Sequence, residues 1–501
     1  MHLPAVIERL VSACACNCPL HRWQLKMWHA LASVTRYLTL KAHKTDTEEG
    51  RNRERYRLAA WNTLANAVSS AMGMLSLFVT IPLVLPYLGA ERFGVWMSVS
   101  SLAAILSFMD LGIGNGLVNL VANAKISHNQ PVRLKQIIFR GLWLLVSIGA
   151  GIGLAMTGLL QVLPITAVIK VSSVALATET RQTALTFAAI FAVSIPLFGL
   201  QRIFFGLQQS WLVHLTKIIG YMASPILAYI LVKQQASIPA LLSATYGVQT
   251  LSALFLLPFL LYKLRTDKTL PQKKSTTPIK QDLRALLGVG SVFFFLQIGG
   301  IVGWGSDALI AASVIGASAV APLVIVQRLF QLVTVPLIII NGPLWAAYAD
   351  ARARNDTAFI RKTLRRSLKV TIVFATIASL TIVGISGWLT STWIGTANNL
   401  PASLLVAFAV WTVMDATGNC FSMYLNGCNI VKAQLVVVIL FCAVAIPLKF
   451  IFPLKFGIAG MIIATITAYI FCVVLPYATF LNKGVRAGLW DDFDRQASDA
   501  V

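Results

Sequence analysis

Ionisable residues that fall inside stretches otherwise apolar include Asp110, Lys217, Asp307, Arg328 and Asp415. A charge inside a bilayer is unfavourable by about 2.5–3.5 kcal/mol on insertion scales, so such groups face a hydrated cavity or a partner of opposite charge. Arg328, in VIVQRLFQLVTVP, stands about nine residues into its apolar run; at about 1.5 Å per residue it is near mid-membrane, too deep to snorkel to the surface. Gln327 and Gln331 lie on adjacent turns and extend a polar stripe along the same helix. That pattern suits the wall of a cavity that binds an anion. The alternative is a structural ion pair with Asp307 or Asp415.

In WLVHLTKIIGY, His214, Lys217 and Tyr221 are three and four residues apart and share one helix face. Lys217 and His214, with Arg202 near the end of the preceding span, join Arg328, Gln327 and Gln331 as candidates for holding an anionic headgroup; Lys217 also has the option of snorkelling toward headgroups. Arg140 is another base near a span end. Asp415 has Asn419 one turn on, and Asp307 follows Gly299, Gly300, Gly303 and Gly305, a run that lets a helix bend or pack closely. Each of these acids is a candidate proton or sodium site, or the counter-ion of a buried base. Asp110 lies near the inner end of its span, where it suits gating of an inner mouth.

Other chemistries are excluded. The stretch FMDLGIGNGLVNLVANA reads G-x-G-x-G, not the G-x-G-x-x-G of a dinucleotide loop, and follows a long apolar run rather than a strand. There is no Walker motif, no H-E-x-x-H, and no His, Asp and Ser at triad spacing, so neither an enzyme nor a cofactor is expected. Of seven cysteines, Cys420, Cys428, Cys442 and Cys472 lie in or beside apolar spans, as small hydrophobes do. Cys14, Cys16 and Cys18, with His21, are spaced too tightly for a zinc site. LVSAC resembles a lipoprotein cleavage box, but the segment before it has no apolar core of signal-peptide length.

The elements that position these residues are transmembrane helices. The chain is 57% hydrophobic and 12% charged, with mean hydropathy +0.75; soluble domains carry about 25% charged residues. Twelve runs are long enough to span a bilayer: 62–85, 94–118, 142–163, 183–201, 211–232, 239–262, 287–308, 319–341, 370–389, 403–424, 434–452 and 457–480. With the amino terminus inside, 33 of the 41 Lys and Arg residues fall on the inner side and 6 on the outer, two of those in the last outer loop. This is the positive-inside bias, which puts both termini in the cytoplasm and the basic loops against anionic lipid. The net charge of +23 therefore needs no nucleic acid to explain it.

Residues 1–57 form a basic amino-terminal segment. Within it, HRWQLKMWHALASVTRYLTLK has the pattern of a membrane-surface helix, although a disordered leader or a misassigned start also fits. Residues 263–285 form a basic cytoplasmic linker between a six-helix lobe at 58–262 and a second at 286–481, and 482–501 form a cytoplasmic tail. A shift of 227 residues lays YLGAERFGVW (87–96) on VIGASAVAPL (314–323), and LVNLVANA (117–124) on LWAAYADA (344–351). Six spans per half means both halves enter from the same side. The expected fold is all-α, twelve transmembrane helices in two lobes related by a pseudo-two-fold along the membrane normal.

YLGAERFGVWMSVSSLAAILSFMDLGIGNGLVNLVANA resembles the first loop and second helix of bacterial polysaccharide-unit flippases, the Wzx-type family within the superfamily that also holds multidrug and toxin extrusion transporters. The matching features are Leu88-Gly89, Phe93-Gly94, Trp96 and Asp110-Leu111-Gly112, then LFGLQRIFFGLQQSW (197–211), SDALIAASVIG (306–316) and NGPLWAAYADARARND (341–356). The resemblance spans roughly 58–480. It implies a carrier in the bacterial inner membrane that flips a polyprenyl-diphosphate-linked oligosaccharide by alternating access. A proton or sodium gradient would drive it, and a polysaccharide polymerase and other assembly proteins would be its partners. The rivals are a drug–cation antiporter of the same superfamily, which favours midplane acids over bases, and a membrane assembly protein that transports nothing.

Overall fold

The computed structural model describes residues 48–101, 117–118, 121, 131–162, 169–266, 303, 305–342, 344–354, 356–395, 400–428 and 430–478. Among them there is helix and no strand. In chain order the helices are α1 (Glu48–Ser101), α2 (Pro131–Val162), α3 (Val174–Gly206), α4 (Ser210–Lys233), α5 (Ile238–Leu264), α6 (Asp307–Val314), α7 (Val320–Asn341), α8 (Leu344–Ala353), α9 (Thr357–Ile394), α10 (Ala402–Gly427), α11 (Val431–Phe456) and α12 (Ala459–Ala478). Ten helices among the described residues are long and apolar enough to cross a membrane. One of them, Trp61–Ser101 within α1, holds the whole first span and the start of the second, and most of the seventh span lies outside the described residues. Most of the rest of the second expected span likewise lies outside the described residues. The basic stretch 48–57 is helical and continuous with the first span. The amphipathic stretch before it, most of the linker and the tail lie outside the described residues.

The membrane-facing surface is apolar, as lipid contact requires. On α9, Ile377, Leu380 and Trp388 are exposed, whereas the hydroxyl groups of Thr371, Ser379, Ser386 and Thr390 are buried. Ser386 and Thr390 bond back to carbonyls of their own helix, Thr390 Oγ1 to Ser386 at 2.8 Å and Ser386 Oγ to Val383 at 2.8 Å, and so enter the core with their hydroxyls satisfied. Prolines stand inside α1, α3, α4, α7 and α11. A membrane helix tolerates them because neighbouring helices re-satisfy the freed backbone groups.

The helices form two groups. α1 packs most extensively on α4, α2 on α3, and α5 on α3 and α4; in the second half α7 and α9 pack on α10, and α11 on α12. The repeat read in the sequence has a backbone counterpart. α1 breaks at Gly89, and the turn between α6 and α7 is made at Gly316; both glycines have positive φ, 71° and 126°. These are the two glycines that the 227-residue shift superposes. Only glycine takes such angles without strain, so the same turn closes the same span in each half.

The two turns meet each other. Gly94 lies against the carbonyl of Ala317, with no room for a side chain between them. The backbone of Lys170 brackets the second turn: its N–H donates to Ala312 O (3.2 Å) and its carbonyl accepts from Ala317 N (3.2 Å). Its Nζ donates to Val314 O (3.0 Å). Ser98 Oγ reaches Ala308 O (3.3 Å), and Trp393 Nε1 donates to Phe78 O (2.7 Å) with the two rings 4.7 Å apart. At this same end Glu179 binds Arg92 through both oxygens (2.7 and 3.2 Å) and accepts from Ile238 N (2.9 Å), tying α1, α3 and α5 together. The main contacts between the two groups run through α1, to α6, α7, α9 and the turn at 317–319. They form a seam at the Gly89 and Gly316 end of the bundle.

Candidate functional site

Four of the expected residues line one cavity in the second half. It has a volume of about 170 Å³ and is lined by Asp307 from the start of α6, Gln327, Phe330, Gln331 and Thr334 from α7, Phe408, Trp411, Thr412 and Asp415 from α10, and Ile462 from α12. The helical spacing read in the sequence places Gln327, Gln331 and Thr334 on one face of α7. Phe330 and Phe408 stack at 5.9 Å as one wall. Trp411 meets Tyr469 edge-on at 5.3 Å, and Tyr469 meets Phe441 at 6.1 Å, which fixes the helices behind Asp415. The cavity thus carries two carboxylates, two amides and two hydroxyls within an aromatic frame.

Asp307 is already paired. Lys449 Nζ of α11 lies 2.5 Å from Asp307 Oδ1 and donates to Gly303 O at 2.5 Å. Lys449 is fully buried and Asp307 is 16% exposed. Gly303 lies against the ring of Phe441, closer than any side chain at 303 would allow, and this brings its carbonyl within reach of Lys449. The sequence reading assigned Lys449, with Lys455, to the last outer loop; the structure puts both inside α11, which runs to Phe456. The sequence left Asp307 open as a cation site or as the counter-ion of a buried base; the base found beside it is Lys449, neither Arg328 nor Lys217.

Arg328 is bonded within its own helix: its Nη1 donates to Gln331 Oε1 (2.7 Å). Its Nε is buried and has no hydrogen-bond partner among the described residues. From the other half, Tyr246 comes within electrostatic range of the guanidinium. Tyr246 sits in the π-helical segment Ser243–Gly247 of α5, a one-turn bulge of the kind that re-aims side chains at functional sites. No carboxylate among the described residues pairs with Arg328.

The remaining bases gather in the first half. His214 is buried and meets the ring of Phe205 edge-on at 6.0 Å, and the guanidinium of Arg202 lies 5.8 Å from the same ring. Lys217 is within electrostatic range of both Arg202 and His214. Tyr221, on the face shared with His214 and Lys217, packs on Gly73 of α1. Lys217 has no carboxylate partner among the described residues. So the expected anion-binding set divides: Arg202 and His214 flank Phe205 with Lys217 in electrostatic range of both, while Gln327 and Gln331 face the cavity that holds the acids. Asp110 lies outside the described residues.

Sequence reasoning missed Lys449, Tyr246 and Phe205. Lys449 stands near the end of the run at 434–452, beside the loop it was counted with. Tyr246 depends on a bulge and Phe205 on a helix–helix contact, and neither leaves a periodic signal. Among the described residues no group of three His, Cys, Asp or Glu side chains is placed to hold a metal.

No family model and no curated protein matches this sequence. Solved structures do match. One is described as the inward-facing conformation of a multidrug-resistance MATE family transporter of the MOP superfamily; the match has a TM-score of 0.64 at 16% identity and covers 83% of this chain and 95% of that one. A second, a MOP superfamily transporter from Pyrococcus furiosus described as having a binding pocket of reverse polarity that suggests a different function, gives 0.59 at 14% identity, covering 84% and 95%. An outward-facing MATE family structure gives 0.59 at 14%, covering 88% and 96%. This chain has the fold of the MOP transporters. The fold class expected from the sequence, all-α with two six-helix lobes, is therefore the one present. It is the fold of a multi-pass membrane transporter.

Proposed function

We propose that this protein carries an anionic lipid-linked oligosaccharide, a sugar unit on a polyprenyl diphosphate, from the inner to the outer leaflet of a bacterial cytoplasmic membrane. The observation that carries the reading is the pair of membrane-embedded cations, Lys217 in one half and Arg328 in the other, neither matched by a carboxylate among the described residues. A diphosphate supplies the missing negative charge, and guanidinium binds phosphate oxygens in a two-pronged geometry. Phe205 beside Arg202 and His214 gives an apolar support on which prenyl carbon can rest. The cavity of Asp307 and Asp415 serves the coupling cation, a proton or sodium ion.

With both termini in the cytoplasm, the seam between the halves lies on the outer side, and the conformation is inward-facing. Transport then consists of opening that seam while the inner side closes. The drug–cation antiporter remains the second reading, favoured by the same two acids. Drug-sized ligands occupy pockets of roughly 300–1,000 Å³, and a cavity of about 170 Å³ fits a hydrated monovalent cation better than a drug.

Leaflet-specific labelling of the lipid-linked glycan in a deletion strain tests the proposal. The expected result is glycan retained on the cytoplasmic leaflet and loss of one surface polysaccharide. Normal polysaccharide at the surface, with no redundant transporter in the strain, refutes it; lost export of cationic dyes with intact polysaccharide favours the antiporter.

A further inference from the structure

We propose that Lys449 is a tethered cation that competes with the coupling cation for Asp307. The inference deepens the ion-coupled reading above and rests on it. Asp307 has two sides. One meets Lys449 Nζ at 2.5 Å; the other lines the cavity together with Asp415, Gln327, Gln331, Thr334 and Thr412. Lys449 itself does not line the cavity. A small cation in the cavity finds what hard cations prefer, two carboxylates with amide and hydroxyl oxygens around them. It meets one carboxylate whose charge is already balanced from behind.

Two cations on one carboxylate in a low-dielectric interior repel strongly. Either the coupling cation stays out, or the lysine gives way. Lys449 has somewhere to go, since the Gly303 carbonyl already accepts from it, and its four-carbon stem is flexible. With the cavity empty, Lys449 keeps Asp307 from being a buried, unpaired charge. With the cavity occupied, the cation takes over that role. Asp307 is neutralised in each state, whereas the displaced ammonium keeps its charge with only the Gly303 carbonyl beside it, and that cost weakens cation binding.

The exchange also has a route to the seam. Asp307 opens α6, and the next residue, Ala308, accepts from Ser98 Oγ of the other half. A shift of Asp307 as Lys449 withdraws acts on the backbone that holds this contact. The titratable groups on the elements around Asp307 include Lys449 and Cys442 of α11, Asp415 of α10, Tyr469 of α12 and Arg328 of α7; the part of α1 packed here contributes Ser98 and Ser100 but no charge.

Cation binding to the purified full-length protein, in lipid nanodiscs without substrate, tests this directly. Sodium-22 binding is measured at pH 7.5. In a parallel arm choline replaces sodium, and proton uptake is followed from pH 8 to pH 5. Lys449→Met is expected to bind sodium at least tenfold more tightly than the unsubstituted protein, or, if the proton is the coupling ion, to take up its proton at least one pH unit higher. Lys449→Arg should keep the weak binding, and Asp307→Asn with Lys449→Met should lose the gain.

If Lys449→Met does not fold, Lys449→His replaces it. That side chain is charged at pH 5.5 and neutral at pH 8, so sodium affinity should rise at least tenfold more between those values than in the unsubstituted protein. Equal affinity for both cations with and without the lysine overturns the inference, as does a gain that survives loss of Asp307. These readouts need no glycan. Failure here leaves the leaflet experiment to stand by itself, and failure of the leaflet experiment leaves a cation switch serving another cargo.

Discussion

Gly89 and Gly316, 227 residues apart, occupy one and the same position in the two halves: each ends a membrane span with its backbone at positive φ. The segments that follow them meet where Gly94 lies on the Ala317 carbonyl. The pseudo-two-fold relating the halves is thus marked by a contact between equivalent turns, and this contact is the centre of the seam.

A methyl group at Gly94 would collide with backbone, which cannot swing aside as the end of a side chain can. Overpacking of this kind typically destabilises by about 1–3 kcal/mol, and here the strain falls on the closed seam rather than on either half. Gly94→Ala should therefore shift the protein toward a conformation open at that end. With Ser98→Cys as a reporter, labelling by a membrane-impermeant maleimide from outside the cell should increase several-fold. Unchanged labelling would mean that the seam is not the gate.

Arg328 and Lys449 should respond to removal in opposite ways. Arg328 has no carboxylate partner among the described residues, so Arg328→Ala should lower the melting temperature only slightly while abolishing glycan export. Arg328→Lys should restore part of the export, because the charge survives without the two-pronged geometry. Lys449→Met strands Asp307, and breaking a buried pair typically costs about 3–5 kcal/mol. Its melting temperature should fall sharply and recover when Asp307→Asn is added. Thermal unfolding measured beside export separates the two residues; a fully active Arg328→Ala protein would remove Arg328 from the site.

Reporter fusions placed after residue 275 and after residue 490 should both report a cytoplasmic location. The basis is the excess of Lys and Arg on one side of the spans. A periplasmic signal from either fusion would invert the assignment of the seam to the outer side.

A chain truncated to begin near Tyr56 should insert and restore export to a deletion strain. The resemblance to known flippases begins after the basic segment, although α1 already runs as helix from Glu48. Insertion without export would assign the segment a part in transport.

The sequence revealed whatever depends on local spacing. Apolar runs marked the spans, because a lipid-facing helix must be apolar along its length. Gln327 and Gln331 read correctly as one helix face, and the 227-residue shift found the paired glycines through their shared context. What depends on distant segments stayed hidden. Nothing near Asp307 says that it is neutralised from 142 positions away, by Lys449. Lys449 stands in AIPLKFIFPLKF, where two lysines flank an apolar turn; that resembles a polar loop until α11 is seen to continue past Lys449 to Phe456. Tyr246 owes its place to a π bulge, which follows from how α5 packs and not from any residue pattern in its own sequence.

The pair between Asp307 and Lys449 also sets an order of assembly. Synthesis of the stretch from the acid to the lysine takes on the order of 7–30 seconds at about 5–20 residues per second. Throughout that interval the seventh span is present without the base that neutralises it. Any chain that stops short of Lys449 leaves the Asp307 carboxylate without its buried counter-charge. The charge of Asp307 is therefore balanced only once the penultimate helix of the chain has been made.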